Sequence, residues 1–235
     1  MKKIIILALL LCVSAFSNSD YLPSPGVSQS QEKEYRSSFF MSFDVGYLHS
    51  FSTKKTGFFG SVMSRDLDLG YINALTRGSY SGNGFGTQAK FGVLIKQLVA
   101  VYALAGAFET SGTYDVEAND STGAKKTFHF NDASGNHAYG GLGVQIYPFR
   151  DDTEGSMGGF YVGFGVALDI GGISYELEDG VGSTSSHLQI ELGKEFDVAR
   201  RWKLGVGLIG ARISHMNGDE YSEYSLHLNF HVTRR

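Results

Sequence analysis

The segment Gly159 to Ile170, GFYVGFGVALDI, separates into two interleaved series. Phe160, Val162, Phe164, Val166, Leu168 and Ile170 form one; Tyr161, Gly163, Gly165, Ala167 and Asp169 form the other. A strand sends successive side chains to opposite faces, so this segment has one apolar face and one small or polar face. No helical period fits a set that recurs every second residue. Seven more segments carry the same alternation: about Ser38–His49, Gly84–Lys96, Leu98–Thr110, His137–Phe149, Ser186–Val198, Trp202–Ile213 and Tyr221–Thr233. In the first, Phe39, Met41, Phe43, Val45 and Tyr47 oppose Ser42, Asp44 and Gly46. In the last, Tyr224, Leu226, Leu228, Phe230 and Val232 oppose Ser225, His227, Asn229 and His231. The third has no clear phase. Val99, Val101 and Ala103 compete with Tyr102, Leu104 and Phe108 for the apolar face.

The connections predicted between these strands alternate in length. Those after strands one, three, five and seven are long and polar. Those after two, four and six are short, at Lys96-Gln97, at Arg150 to Gly155, and near Ala199 to Arg201. A soluble sandwich has no reason for that regularity, whereas a membrane barrel has short turns on one side and long loops on the other. Strands of about 10 to 13 residues cross a bilayer at a tilt, and closing the sheet strands no backbone group in lipid. The expected fold is therefore all-β: a closed antiparallel eight-stranded up-and-down transmembrane β-barrel. The ends of the third connection, TYDV and TFHF, are candidates for extending its hairpin beyond the membrane.

Composition agrees with many glycine-punctuated strands: 31 Gly, 3 Pro, 13 Tyr and 17 Phe in 235 residues. A formal net charge of -4 leaves no basic footprint for nucleic acid. The single cysteine, Cys12, lies in the first 17 residues, MKKIIILALLLCVSAFS. Lys2 and Lys3, then an apolar run, then the small residues around Ala15 predict a secretory signal peptide over residues 1–17. It is too short for a spanning helix. Once it is removed, neither a disulfide framework nor a cysteine metal site is available. Residues 18–37 are polar with Pro23 and Pro25, which predicts a flexible periplasmic tail ahead of a barrel over residues 38–235.

Residues 38–235 resemble the small eight-stranded outer-membrane barrels of the OmpA/OmpX type. The resemblance lies in the alternation and in the loop asymmetry. Many members of that family end on an aromatic residue; here Phe230 is the nearest, and His-Val-Thr-Arg-Arg follows it. The resemblance implies a monomer in the outer membrane of a Gram-negative-type bacterium, in contact with lipid and lipopolysaccharide. It also implies that the loops reach surface or host ligands.

An eight-stranded barrel is just wide enough for side chains to fill. Asp44, Lys90, Glu191 and His227 point inward near mid-height, and unpaired charge there is costly, so a mutual lumen network is expected. Glu195 and Lys203 fall lower. A plug of paired side chains, a narrow ion path and a catalytic dyad are the readings of such a lumen. Outside, Phe39, Phe196 and Trp202 fall near the periplasmic ends, and Tyr47, Phe85 and Tyr224 near the opposite ends. They form two expected aromatic girdles.

Other motifs carry less. Gly205 to Gly210, GVGLIG, has the letters of a dinucleotide fingerprint but sits inside a strand pattern, not at a strand-to-helix turn. His227 and His231 would stand about 13 Å apart on one strand, too far to clasp one metal. Glu176, Glu178 and Asp179 form an acidic loop run that can attract cations. Arg212 to Gly218, RISHMNG, followed by Glu223, is similar to the last hairpin of PagL-type lipid A deacylases. That resemblance implies His215 as base and Glu223 as its orienting acid, but the position of that family's serine nucleophile is either occupied by Asn217 or deleted. No cofactor is indicated. The expected role is structural or surface-interactive. The alternatives are a lipid A-modifying esterase, a narrow channel, and a secreted soluble β-barrel binding a small apolar ligand.

Overall fold

This computed structural model describes residues 37–54, 74–119, 124–149, 156–174, 183–215 and 221–235. The leader, most of the N-terminal tail, the Arg150 to Gly155 turn, the acidic run at Glu176 to Asp179 and the stretch from Met216 to Glu220 lie outside the described residues. Eight strands follow in order: β1 (Ser38–Lys54), β2 (Ala74–Ile95), β3 (Val99–Asn119), β4 (Lys125–Ile146), β5 (Phe160–Ser174), β6 (Ser183–Ala199), β7 (Trp202–His215) and β8 (Tyr221–Arg234). Each pairs antiparallel with its sequence neighbours, and β8 closes on β1.

The register sets the shape. A walk across the ladders from Phe40 passes Gly92, Tyr102, Gly143, Gly165, Gln189, Ala211 and Ser225 and returns to β1 at Ser50, ten residues higher. With a rise of ~3.3 Å per residue and ~4.8 Å between strands, that stagger tilts the strands by about 40°. Trp202 and Arg212 then differ in height by about 25 Å, the height of an outer-membrane apolar band.

Period two is kept around the whole ring, and the faces are inverted relative to a soluble protein. Leu142, Ile170 and Phe230 are more than 60% exposed, while Lys90 and Glu191 are 1% exposed. The structure fixes the phase of β3 that alternation leaves open. Ala100, Tyr102, Leu104 and Phe108 are buried inside, and Val101 is exposed outside. Both faces of this strand are apolar because it walls an apolar sector of the lumen with Phe40, Leu48 and Leu94. Its partner decides the phase: Leu104 opposes inward Lys90.

TYDV and TFHF extend the hairpin of β3 and β4 as expected and pair within its ladder, so the connection after the third strand shortens to residues 120–124. The link from β4 to β5 spans residues 147–159 and begins with buried Tyr147; the turn expected at Arg150 to Gly155 lies outside the described residues. The β2–β3 link is a true tight turn. Lys96 and Gln97 have φ of 50° and 55°, and Leu98 N–H donates to Ile95 O at 2.9 Å. Two left-handed central residues match the twist of a hairpin. Strands β2, β3 and β4 reach 22, 21 and 22 residues, against 14 in β7 and in β8, so a three-stranded ribbon continues past the ring on the loop side.

Inward glycines make space for inward rings. Tyr102 lies over Gly143, Tyr139 over Gly106 and Tyr161 over Gly193, each pair directly opposed across a ladder. A Cβ on Gly193 would stand 2.4 Å from the Tyr161 oxygen, so no side chain fits there while the ring stays.

Candidate functional site

The lumen is crossed at three levels by polar contacts between distant strands. At mid-height, Lys90 Nζ donates to Glu191 Oε2 at 2.6 Å and pairs with Asp44 Oδ2 at 3.0 Å. Lys90 is on β2 and Glu191 on β6, four strands apart in a ring of eight, so this bond spans the full bore. The two carboxylates are also supported from the side. Tyr161 donates to Glu191 Oε1 at 2.6 Å, and Ser42 donates to Asp44 Oδ1 at 2.8 Å. Gln88 Nε2 reaches Asp44 Oδ2 at 3.3 Å while its oxygen accepts from Tyr139 at 2.9 Å. The Tyr102 ring lies 5.8 Å from the ammonium. Asp44, Lys90 and Glu191 are therefore desolvated but mutually compensated, the condition under which buried ions persist.

Toward the loop side, His137 on β4 sits between two carboxylates. Its Nδ1 lies 2.8 Å from Asp169 Oδ1, and its Nε2 faces Glu223 Oε2 on β8 at 3.1 Å. Ser50 donates to the other oxygen of Glu223. His187 Nδ1 stands 3.8 Å from Asp169 Oδ2, and its ring stacks on Tyr139 at 4.3 Å. This second cluster escapes sequence reading, although its signal is present. His137, Asp169, His187 and Glu223 each occupy an inward position in the loop-side half of a strand.

Toward the turn side, Glu195 Oε2 pairs with Arg235 Nη2 at 3.0 Å, and Tyr147 donates to Glu195 Oε1 at 3.0 Å. The Arg235 guanidinium lies 4.1 Å from the Tyr147 ring centroid. Lys203 instead pairs with exposed Asp197 at the rim.

The structure thus brings Asp44, Lys90 and Glu191 together and places His227 elsewhere. His227 Nε2 shares a hydrogen bond with Ser225 Oγ at 2.7 Å, and its ring meets Phe108 edge-on at 5.6 Å. The closure register explains the separation: Asp44 faces His231, and His227 faces Leu48. Glu223, the acid of the deacylase resemblance, is fully buried in the loop-side cluster; the side chain of His215 lies outside the described residues. The Gly205 to Gly210 run is paired on both sides within β7 with no helix after it, which removes the dinucleotide reading. Among the described residues, no group of three or more His, Cys, Asp or Glu side chains is arranged to hold a metal ion.

Outside, Phe39, Phe196 and Trp202 ring the turn-side rim, and Tyr47, Phe85 and Tyr224 lie toward the loop side. Five of them are 41–58% exposed and Trp202 is half-buried. Tyr47 and Phe85 meet edge-to-face at 5.7 Å. On the turn-side rim Arg234 lies over Trp202 at 5.9 Å and Lys194 over Phe196 at 5.2 Å.

Comparison with solved structures adds likenesses of the barrel. The chain is similar to Neisserial surface protein A at 13% identity and a TM-score of 0.45, over 84% of this chain and 97% of that one. It is similar to the outer membrane protein OprG from Pseudomonas aeruginosa at 11% identity and a TM-score of 0.43, covering 84% and 97%. Ail, the attachment invasion locus protein of Yersinia pestis, follows at 11% identity and 0.38, covering 83% and 97%. No protein-family model matches the chain, and no curated protein matches it. At these identities the likeness is one of fold.

Proposed function

We propose that this chain is an integral outer-membrane barrel whose lumen is a structural plug and whose loop-side ribbon makes surface contacts. The observation that carries the reading is the inverted polarity. Thirty large apolar side chains among the described residues are exposed, while Asp44, Lys90 and Glu191 are at most 4% exposed. In water such an apolar surface exceeds by far the patches a soluble monomer tolerates. In lipid it is the expected outer band, with the aromatic rims at the two interfaces. The leader-like first 17 residues support export. Three polar contacts across the bore support a plug over a conducting path.

Surface contact is supported by the ribbon of β2, β3 and β4. It presents Lys125, Lys126 and the paired Asp115 and His129, 2.7 Å apart, to the outside. Loop-side elements on a rigid scaffold are where such barrels place recognition.

Membrane fractionation with a gel comparison of boiled and unboiled samples tests the reading. The protein should sediment with outer membranes, resist urea extraction and migrate differently once boiled. Release into the soluble fraction would overturn it. A lack of discrete conductance in planar bilayers is expected of the plug, and stable ion steps would refute that part alone.

A further inference from the structure

Two braces cross the bore, and they differ in chemistry. At mid-height the Lys90 ammonium joins β2 to Glu191 on β6. Toward the loop side the His137 imidazole joins β4 to Glu223 on β8 and to Asp169 on β5. Each brace links strands four apart in a ring of eight, and the two are offset by two strands, so they cross at about a right angle. The strand that carries His137 also continues past the ring as part of the ribbon.

The His137 ring has a carboxylate at each nitrogen. Nδ1 stands 2.8 Å from Asp169 Oδ1 and Nε2 3.1 Å from Glu223 Oε2, and all three side chains are fully buried. A neutral imidazole has one N–H and one lone pair, so it would turn a lone pair on one of the two anions. The imidazolium offers a donor to both. Its contact with Glu223 is an ion pair without an aligned hydrogen bond, so charge and not direction holds that side. The Phe108 ring stacks on His137 at 4.6 Å, which favours a cation there.

The other strands complete the surroundings. From β6, His187 Nδ1 stands 3.8 Å from the second oxygen of Asp169, and its ring stacks on Tyr139 of β4. From β8, His227 meets Phe108 edge-on. From β2, Tyr80 donates to Thr110 on β3. From β1, Ser50 donates to Glu223, and on β7 Ile213 lies opposite both His187 and Glu223.

We propose that the His137 brace is a proton-operated latch on the loop-side half of the lumen. It is closed while His137 is an imidazolium and opens when that ring gives one proton to water. Opening leaves two desolvated carboxylates against a neutral ring, the strongly destabilising condition of a broken buried pair. An imidazole titrates in the physiological range and an ammonium does not, so the Lys90 brace holds the middle in both states. The sign follows from proton counting. The folded barrel keeps a proton that the unfolded chain releases, so the contribution of the latch is complete at the acid end of the histidine range and is lost as the pH rises. The proposal rests on the plug reading of the lumen, but stable ion steps with a doubly protonated His137 would sink the plug and leave the latch.

Nitrogen-15 NMR of the full chain folded in detergent micelles tests the protonation directly, with the His137 signal assigned by its loss in His137→Gln. At about pH 7.5, where a free imidazole is mostly neutral, both ring nitrogens should resonate as N–H. In Glu223→Gln the ring should be neutral at the same pH, because Nε2 no longer faces an anion. Urea titration gives a second readout. From about pH 7.5 to about pH 9.5 the wild-type unfolding constant should rise about tenfold, within the limit of about tenfold per pH unit for one proton. His137→Gln should change less than about twofold over that range, and the difference between the two profiles separates His137 from the other histidines. If His137→Gln does not fold, the wild-type and Glu223→Gln spectra, assigned through the backbone, decide alone. A bare ring nitrogen on wild-type His137 at the lower pH would overturn the proposal, including the case in which Glu223 holds the proton. Parallel pH profiles for wild type and His137→Gln would overturn it too.

Discussion

Replacing Lys90 by Met keeps the length and volume of the side chain and removes only its charge. What remains is Asp44 and Glu191, both desolvated and now facing each other across the bore without a cation. At an effective dielectric of ~20, each Lys–carboxylate contact at 3.0 Å or 2.6 Å contributes about 5 to 6 kcal/mol of gross attraction. Burying the three ions costs several kcal/mol apiece, so the net value of the intact triad is small. Its removal is not symmetric, because the desolvation of the two carboxylates stays while the attraction goes. Breaking a buried pair by deleting one partner typically costs ~3–5 kcal/mol, and here two anions lose the same partner. We expect Lys90→Met to lower stability by at least about 3 kcal/mol. The triple variant Lys90→Met, Asp44→Asn, Glu191→Gln should recover most of that loss, because neutral amides carry no charge to desolvate and each keeps one acceptor oxygen for its neighbours. Urea unfolding in phosphatidylcholine vesicles measures both. Trp202, the one tryptophan of the chain, is half-buried at the turn-side rim, where its fluorescence should report insertion. A Lys90→Met cost below ~1 kcal/mol would refute the compensated-triad argument. A triple variant as unstable as the single one would do the same.

Other substitutions probe the remaining links. Gly193→Val pushes a side chain into the Tyr161 ring, whose nearest atom would lie 2.4 Å from the new Cβ; a loss of ~1–3 kcal/mol is expected in the same titration. Tyr161→Ala in that background should restore part of it. Leu142→Arg places a charge on the lipid face near mid-band and should cost ~2–4 kcal/mol, while Phe39→Arg at the rim should cost no more than ~1; equal costs at the two depths would argue against lipid on that face. Excising residues 113–132 of the projecting hairpin and closing it with an Asn-Gly turn should leave heat-dependent migration unchanged, since the three lumen contacts lie below it. Loss of that migration would make the ribbon part of the barrel's own stability.

Fluorescence alone cannot separate the triad from the loop-side cluster, but their chemistry does. Glu223→Gln removes the charge that faces His137 Nε2 and keeps a group that can accept from Ser50. Its expected cost of ~1–3 kcal/mol is that of one buried charge-assisted contact, less than the loss of Lys90.

Strand positions and faces were legible in the chain because period two is a local property. Each residue needs only its neighbours to declare a face, and Phe160, Val162 and Phe164 do so without ambiguity. The inward placement of Asp44, Lys90 and Glu191 follows from the same rule. Strand β3 resisted because an apolar outer face and an aromatic lumen both accept Val, Ala, Leu and Tyr, so hydrophobicity could not choose between them. Meetings across the bore belong to the tertiary structure alone. Whether Asp44 faces His227 or His231, and whether His137 finds Glu223, depends on a ten-residue stagger summed over eight ladders. No local stretch encodes that sum, because it exists only once β8 has closed on β1.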